Sequence, residues 1–280
     1  MSYSAKILKD SLSPSGIRLV TAELTIPRVV LSEFNTHRNF SRNSASSRAI
    51  PIEKMIERAL NDTFIPFYWG KNQKGMAAEE ELSPELQEAA QVQWLAARDQ
   101  MIERVKIMSQ IGVHKQITNR LLEPWLYQTI IVTATEWENF FGLRCNKDAQ
   151  PEIKKGAEML RDAIDVSTPK QLLGGQWHLP LTDDFDDLLK SGFSIPEIVK
   201  ISVGRCARVS YLTHDGVRDP KADIELCDKL LKSGHLSPME HAARPFTHRL
   251  DPAHEFYGNL RGWVSFRKLQ PNERVFKGMK

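Results

Sequence analysis

The chain has 280 residues, 41% of them hydrophobic and 26% charged, a balance that fits a soluble globular protein with a substantial core. Its 38 basic and 35 acidic side chains leave a net charge of +3, too small to argue for a nucleic acid polymer as partner. No apolar run approaches the ~20 residues of a membrane span. Met1 to Lys6 lacks the apolar segment of a secretion signal, and Cys145, Cys206 and Cys227 lie far apart, so a reducing, cytoplasmic setting is expected rather than a disulfide framework.

In chain order, the first fifteen residues read as a loose arm. Alternation from Ile17 to Ile26 predicts a strand, with Val20, Ala22, Leu24 and Ile26 on one face and Thr21, Glu23 and Thr25 on the other. Arg28 to Asn35 reads as a short helix. It feeds a polar stretch, Asn35 to Arg48, that has no apolar periodicity. Guanidinium forks beside hydroxyls and amides suit an anionic, oxygen-rich ligand; on composition alone a solvated loop is the stronger reading. A helix is expected from Ile52 to Leu60, and residues 61–82 read as a linker or lid.

Ser83-Pro84 opens a long helix, with Ser as cap and Pro at the first helical position. Leu86, Ala90, Trp94, Ala97, Met101, Val105 and Met108 recur at steps of three and four, predicting a core stripe that Gly112 terminates. Further helices are expected at about Lys115 to Leu122, Thr133 to Leu143 and Asp148 to Ile164, and Thr168 to Asp186 reads as loop. Ser194 and Glu197 form a capping box, Asp219-Pro220 starts another helix that Gly234 stops, and Arg244 to Leu250 reads as a short strand. Helix dominates, which places the chain in the α+β class.

Several chemistries lack their spacing. His235, Glu240 and His241 do not form a zinc pattern, so no metal is expected. There is no nucleophile elbow and no glycine-rich phosphate loop, so any phosphate must be held by arginines and hydroxyls. Arg120 could serve, or simply pair with Glu123 on the surface. Asn139 and Leu143 share a helix face, and Arg144 sits at that helix's C-terminus, where a cation is favoured in any case.

Taken together, these clusters resemble a known family. His37-Arg38-x-x-Ser41-x-Asn43-x-x-Ser46-x-Arg48 resembles the signature of the flavin-dependent thymidylate synthases, Arg-His-Arg-x-x-Ser-x-Asn-x-x-Ser-x-Arg, at six fixed positions. Asn139-Phe140-Phe141-x-Leu143-Arg144, continuing to Ala149-Gln150-x-Glu152-Ile153, is similar to that family's second block. Arg120-Leu-Leu-x-Pro124 is similar to its arginine before Leu-Pro. Ala207-Arg208-Val209-Ser210-Tyr211 and Gly234-His235-x-Ser237-Pro238-x-Glu240-His241 are similar to the block that usually comes first, and here it comes last. The resemblance therefore implies one circularly permuted domain over residues 1–280, helix-rich with a small mainly antiparallel sheet, in which 200–280 carries the displaced flavin-binding block.

It further implies an enzyme that makes dTMP from dUMP, with FAD as cofactor and with NADPH and methylenetetrahydrofolate as co-substrates. The expected assembly is a homotetramer whose sites lie between subunits. Carried over by position, His37, Arg38, Asn43, Asn139, Leu143, Ser210, His235, Ser237 and Glu240 would bind flavin. Ser46, Arg48, Arg120 and Arg144 would bind the nucleotide, with Arg144, Ser46 and Arg48 at the catalytic centre. Thr36 replaces the first arginine of the signature and Ser44 a usual glutamate, which leaves open a dCMP substrate, a hydroxymethyl product or a non-catalytic binder. In the basic tail, Arg261 or Arg267 is a candidate to supply the guanidinium absent at position 36, unless that tail is simply a basic surface helix.

Overall fold

The protein, seen in a computed structural model, is described over residues 2–211, 218–246, 258–271 and 273, with only the backbone described at Ser210 and Tyr211. Its centre is a sheet of β1 (Ser4–Leu12), β2 (Arg18–Pro27), β3 (Ser41–Ser44), β4 (Tyr127–Ala134) and β5 (Lys170–Gln171), in the order β3-β4-β2-β1-β5. All pairings are antiparallel except β1 with β5. A second, two-stranded sheet joins β6 (Ala243–Pro245) to β7 (Trp263–Ser265).

The alternation of β2 decides what packs where. Val20, Ala22, Leu24 and Ile26 face α1 (Leu31–Asn35), α5 (Glu138–Arg144) and α6 (Pro151–Asp165), with Phe34, Phe140, Ile153 and Leu160 buried against them. The opposite face is covered as well. There α8 (Ile195–Tyr211) packs Cys206 and Val209 onto Ile131, and α9 (Pro220–Ser233) packs on α8. A satellite cluster joins α2 (Ile52–Asn61) to the C-terminal half of α3 (Pro84–Gln110). Between α6 and α8 lies the short α7 (Phe185–Lys190); α4 (Lys115–Thr118) leads into a 3-10 turn, Asn119–Trp125.

Helix boundaries follow local chemistry. The Ser194 amide and hydroxyl both donate to Glu197 Oε2, at 2.8 and 2.6 Å, which is the capping box at the head of α8. Asp219 accepts from the amides of Lys221 and Ala222, and Gly234 closes α9 with φ of 73°, a left-handed turn that glycine adopts without a Cβ clash.

Four expectations are corrected. The N-terminal arm is strand β1; a register shift between Ile7 and Lys9 breaks its alternation, so its two-residue period is hidden. Thr133 and Ala134, expected in a helix, end the interior strand β4, and the helix begins only at Glu138. β4 is buried on both faces, with polar Gln128, Thr129 and Thr133 buried like Ile130 to Val132, so no two-residue apolar period shows. The stripe of α3 is core only in part: Val105 is buried, whereas Leu86 and Ala97 are exposed. Pro151, not Asp148, begins α6, because proline suits the first helical position. Residues 62–82 form an irregular excursion closed by a bridge between Gly70 and Glu81. Of the expected strand Arg244 to Leu250, residues 247–250 lie outside the described residues.

Gly204 sets the approach of α8 to α9: a Cβ built there would lie 2.3 Å from the Asp223 carbonyl oxygen. Beside it, Arg205 and Arg208 both bond the fully buried Asp223 carboxylate, at 3.2 and 2.6 Å. Gly204→Ala is expected to destabilise the fold by about 1–3 kcal/mol, because helix backbones must part to admit the methyl group. A urea midpoint equal to wild type would show that the pair can separate without cost.

Candidate functional site

The polar stretch begins at the end of α1 and runs into edge strand β3. Arg144, the last residue of α5, reaches back to it: Nε donates to His37 Nε2 at 3.0 Å, and Nη2 donates to Thr36 Oγ1 and to the Glu33 carbonyl, both at 3.3 Å. The Thr36 hydroxyl in turn donates to Glu33 O at 2.7 Å. His37 is nearly buried, edge-on to Phe140 at 4.8 Å. Burial first, then the Arg144 and Arg42 charges, push its pKa down to about 4. His37 is therefore neutral near pH 7, with Nε2 as acceptor.

The arginines of the stretch divide sharply. Arg42 spends its donors on the Asn35 side chain and on the carbonyls of Asn35, His37 and Phe40, so it clamps the turn. Arg38 is exposed and makes no hydrogen bond or ion pair among the described residues. It opens instead onto a cleft of about 440 Å³ that it lines with Phe40, Arg42, Glu240, Arg267 and Lys268. Arg267 pairs with Glu240 there, and both Arg267 and Lys268 reach Glu273. Asn259 donates to the Asn39 carbonyl and to Ser41 Oγ, each at 3.1 Å, which ties the tail to the signature strand.

A second cationic group lies beyond β3. Glu123 accepts from Ser47 at 2.6 Å and pairs with Arg28 at 2.9 Å and Arg120 at 3.4 Å. Asn119 donates to the carbonyls of Ser47 and Ile50. Arg48 and Arg120 are thus chain neighbours of two bonded residues, and both are exposed.

Other expected site residues fall elsewhere. Asn43 does not line the cleft; it turns inward to His241 and to the Cys206 carbonyl. Asn139 and Leu143 share an exposed face of α5, as their spacing predicts. Ser46 is half-buried; His235 and Ser237 are exposed, with His235 against Ser233 Oγ at 2.9 Å. Arg261 pairs with Glu136 at 2.7 Å and takes no part in the cleft, so of the two tail arginines only Arg267 reaches Arg38's surroundings. The side chain of Ser210 lies outside the described residues. Sequence reasoning named Glu123 only as a surface partner of Arg120, a pair the structure keeps, and did not single out Asn259, Lys268 or His178.

Residues 10–170 match the family model of the thymidylate synthase complementing protein. The chain belongs to that family. The match holds the whole polar stretch, Arg120 and the Asn139 to Arg144 block, so the thymidylate synthase complementing protein family accounts for one wall of the cleft. Glu240, Arg267 and Lys268, on the other wall, lie outside it. Among solved structures, the chain is similar to PolB, a UMP/dUMP methylase from Streptomyces cacaoi bound with 5-Br UMP: 15% identity over 58% of this chain and 88% of that one, TM-score 0.49. The same methylase bound with 5-Br dUMP gives 13% identity over 58% and 90%, TM-score 0.48. No curated protein matches.

Among the described residues, no cluster of three or more His, Cys, Asp or Glu side chains could hold a metal ion, and no helix is long and apolar enough to cross a membrane. Burial pushes the thiols of Cys206 and Cys227 up, the latter to about 12, so neither is a ready nucleophile.

Acid should loosen this arrangement. His37 and His241 have folded-state pKa values lowered to about 4 and about 3, and His178 is also held well below the usual range. The unfolded chain therefore binds more protons below about pH 6.5, and stability falls as pH drops through that window. Each buried imidazole contributes about 1.4 kcal/mol per pH unit there. Urea midpoints should change little between pH 7 and 8 and drop steeply from pH 6 to 5; a profile level down to pH 5 would contradict these assignments.

Proposed function

We propose that the protein is a flavin-dependent thymidylate synthase that methylates dUMP at C5 to give dTMP. The observation that carries this reading is the convergence of exposed Arg38 with Arg267, Lys268 and Glu240 around one cleft beside the family's signature. Such a donor set fits FAD: guanidinium and ammonium groups suit a diphosphate, and a carboxylate suits a ribose hydroxyl. Arg38, Arg267 and Lys268 would hold the phosphates and Glu240 the sugar, with Asn139 and Leu143 beside the ring system. When bound, FAD supplies the hydride chemistry, with NADPH as reductant and methylenetetrahydrofolate as carbon donor.

The chain's own part is positioning and electrostatics. Arg144 would stabilise negative charge on a pyrimidine carbonyl as C5 becomes nucleophilic, and neutral His37 fixes its guanidinium by accepting from Nε. Ser46, Arg48 and Arg120 would hold the nucleotide phosphate. The exposure of Arg48 and Arg120 suits a homotetramer in which a neighbouring copy closes the site. The displaced Glu240 in the same cleft as Arg38 supports a permuted order of blocks. One observation favours a relative acting on another pyrimidine nucleotide or installing a hydroxymethyl group: Thr36, where the signature has arginine, directly contacts Arg144.

FAD binding to purified protein, followed by turnover with dUMP and with dCMP and product mass, tests the reading. FAD retention and a methyl product from dUMP are expected; protein that cannot be loaded with FAD would refute it. Arg38→Ala and Arg267→Ala should each weaken FAD binding about 10- to 100-fold, the scale of a charge-assisted hydrogen bond. Arg261→Ala should leave it unchanged. Equal losses at 261 and 267 would place the flavin outside this cleft.

A further inference from the structure

On the face of the sheet away from the main core, five polar side chains that touch no solvent link up with Asn43. Ser11, Thr21, Thr133, His178 and His241 are each fully buried. Thr21 and Thr133 are register partners on β2 and β4, so their hydroxyls meet at 2.6 Å. His178 bridges Thr21 to Ser11: Nε2 lies 2.8 Å from Thr21 Oγ1 and Nδ1 lies 2.9 Å from Ser11 Oγ. His241 bridges Thr133 to Asn43: Nδ1 lies 2.8 Å from Thr133 Oγ1, and Nε2 meets Asn43 Oδ1. Asn43 Nδ2 ends the series on the Cys206 carbonyl at 3.1 Å.

Only one assignment of protons satisfies every link. A carbonyl can only accept, so the Asn43 amide must present Nδ2 to Cys206 and Oδ1 to His241. His241 Nε2 must then carry a hydrogen. No carboxylate is bonded to either imidazole, and Lys9 adds positive charge near His178, so both rings are neutral and each Nδ1 is an acceptor. Thr133 therefore donates to His241 and accepts from Thr21; Thr21 accepts from His178; Ser11 donates to His178. Every donor points the same way, from Ser11 to Cys206, and aligned hydrogen bonds of this kind polarise one another.

We infer that His178 and His241 are positioning residues: with Ser11, Thr21 and Thr133 they form one unidirectional hydrogen-bond chain across the sheet that fixes the carboxamide of Asn43 and so holds the signature strand in place. The functional half of this statement rests on the proposed flavin-dependent activity; the proton assignment does not. His178 lies outside the family match. Its role comes from the structure alone.

Two-bond ¹H–¹⁵N NMR of the full-length protein labelled at histidine tests the assignment. Both imidazoles should be Nε2–H tautomers at pH 7. Thr133→Val keeps the shape but removes the hydroxyl to which Thr21 donates, so His178 should lose its single tautomer while His241 keeps Nε2–H on Asn43, and FAD affinity should fall about tenfold at a temperature where the variant is folded. Thr133→Ser should restore both, which a purely packing role would not produce. An Nδ1–H tautomer or an imidazolium at either histidine in the wild type would overturn the inference, as would a Thr133→Val protein with unchanged tautomer and affinity. If Thr133→Val does not fold, Thr21→Val serves in its place and should release the His178 tautomer alone; an unchanged His178 would then count against the chain. Wild-type protein that binds no FAD would sink the proposed function, and the tautomers would still decide the hydrogen-bond chain.

Discussion

A sheet with helices on both faces cannot leave hydroxyls on either face without partners. An unbonded buried hydroxyl costs about 1–3 kcal/mol against a net stability of about 5–15 kcal/mol for a whole domain. Thr21 and Thr133 lie on the covered second face, so whatever packs there must bring hydrogen bonds as well as apolar surface. His178 and His241 bring them from two distant parts of the chain. The C-terminal layer is thereby held in one registration over the sheet, which Cys206 and Val209 on Ile131 alone would specify loosely. Asn43, at the far end, inherits that precision.

The same logic separates arginines that hold the fold from arginines free for a ligand. Arg42 and Arg205 are saturated, one by backbone carbonyls and the other by Asp184 and Asp223. Removing either would strand acceptors inside the protein. Among the described residues Arg38 has no bonded partner, so none of them competes with an incoming anion for its guanidinium. Arg267 is intermediate: Glu240 and Glu273 neutralise it in the absence of ligand. A phosphate entering the cleft would compete with those carboxylates, which keeps Arg267 oriented without making the cleft uniformly positive.

Much of this was legible in the sequence, and the failures have physical causes. The alternation of β2, the capping box at Ser194 and the stop at Gly234 are local signals, and the structure keeps all three. The signature stretch and the Arg144 block carry enough fixed positions to find each other. β4 left no period because both of its faces are buried, and β1 hid its own behind a register shift. Both errors hid the sheet on which the site rests. His178 and Asn259 were invisible for another reason: they act through partners 157 and 218 residues away, and no local pattern records such pairing; Glu123 was legible only as Arg120's neighbour, its bond to Ser47 lying 76 residues away.

The substitution at position 36 changes what Arg144 can do. A second arginine there would place two like charges side by side, and each would look for its own anion. Thr36 accepts from Arg144 Nη2 instead, His37 accepts from Nε, and the Glu33 carbonyl takes Nη2 as well. Among the described residues only Nη1 has no bonded partner. A guanidinium with its Nε and Nη2 edge occupied cannot grip a phosphate through that edge, the bidentate mode for which arginine is suited. It can present one nitrogen, Nη1, to an acceptor such as a pyrimidine carbonyl oxygen. Under the proposed function this divides the labour: Arg144 addresses the base, and the phosphate falls to Arg48 and Arg120, both exposed, with Arg120 paired to Glu123.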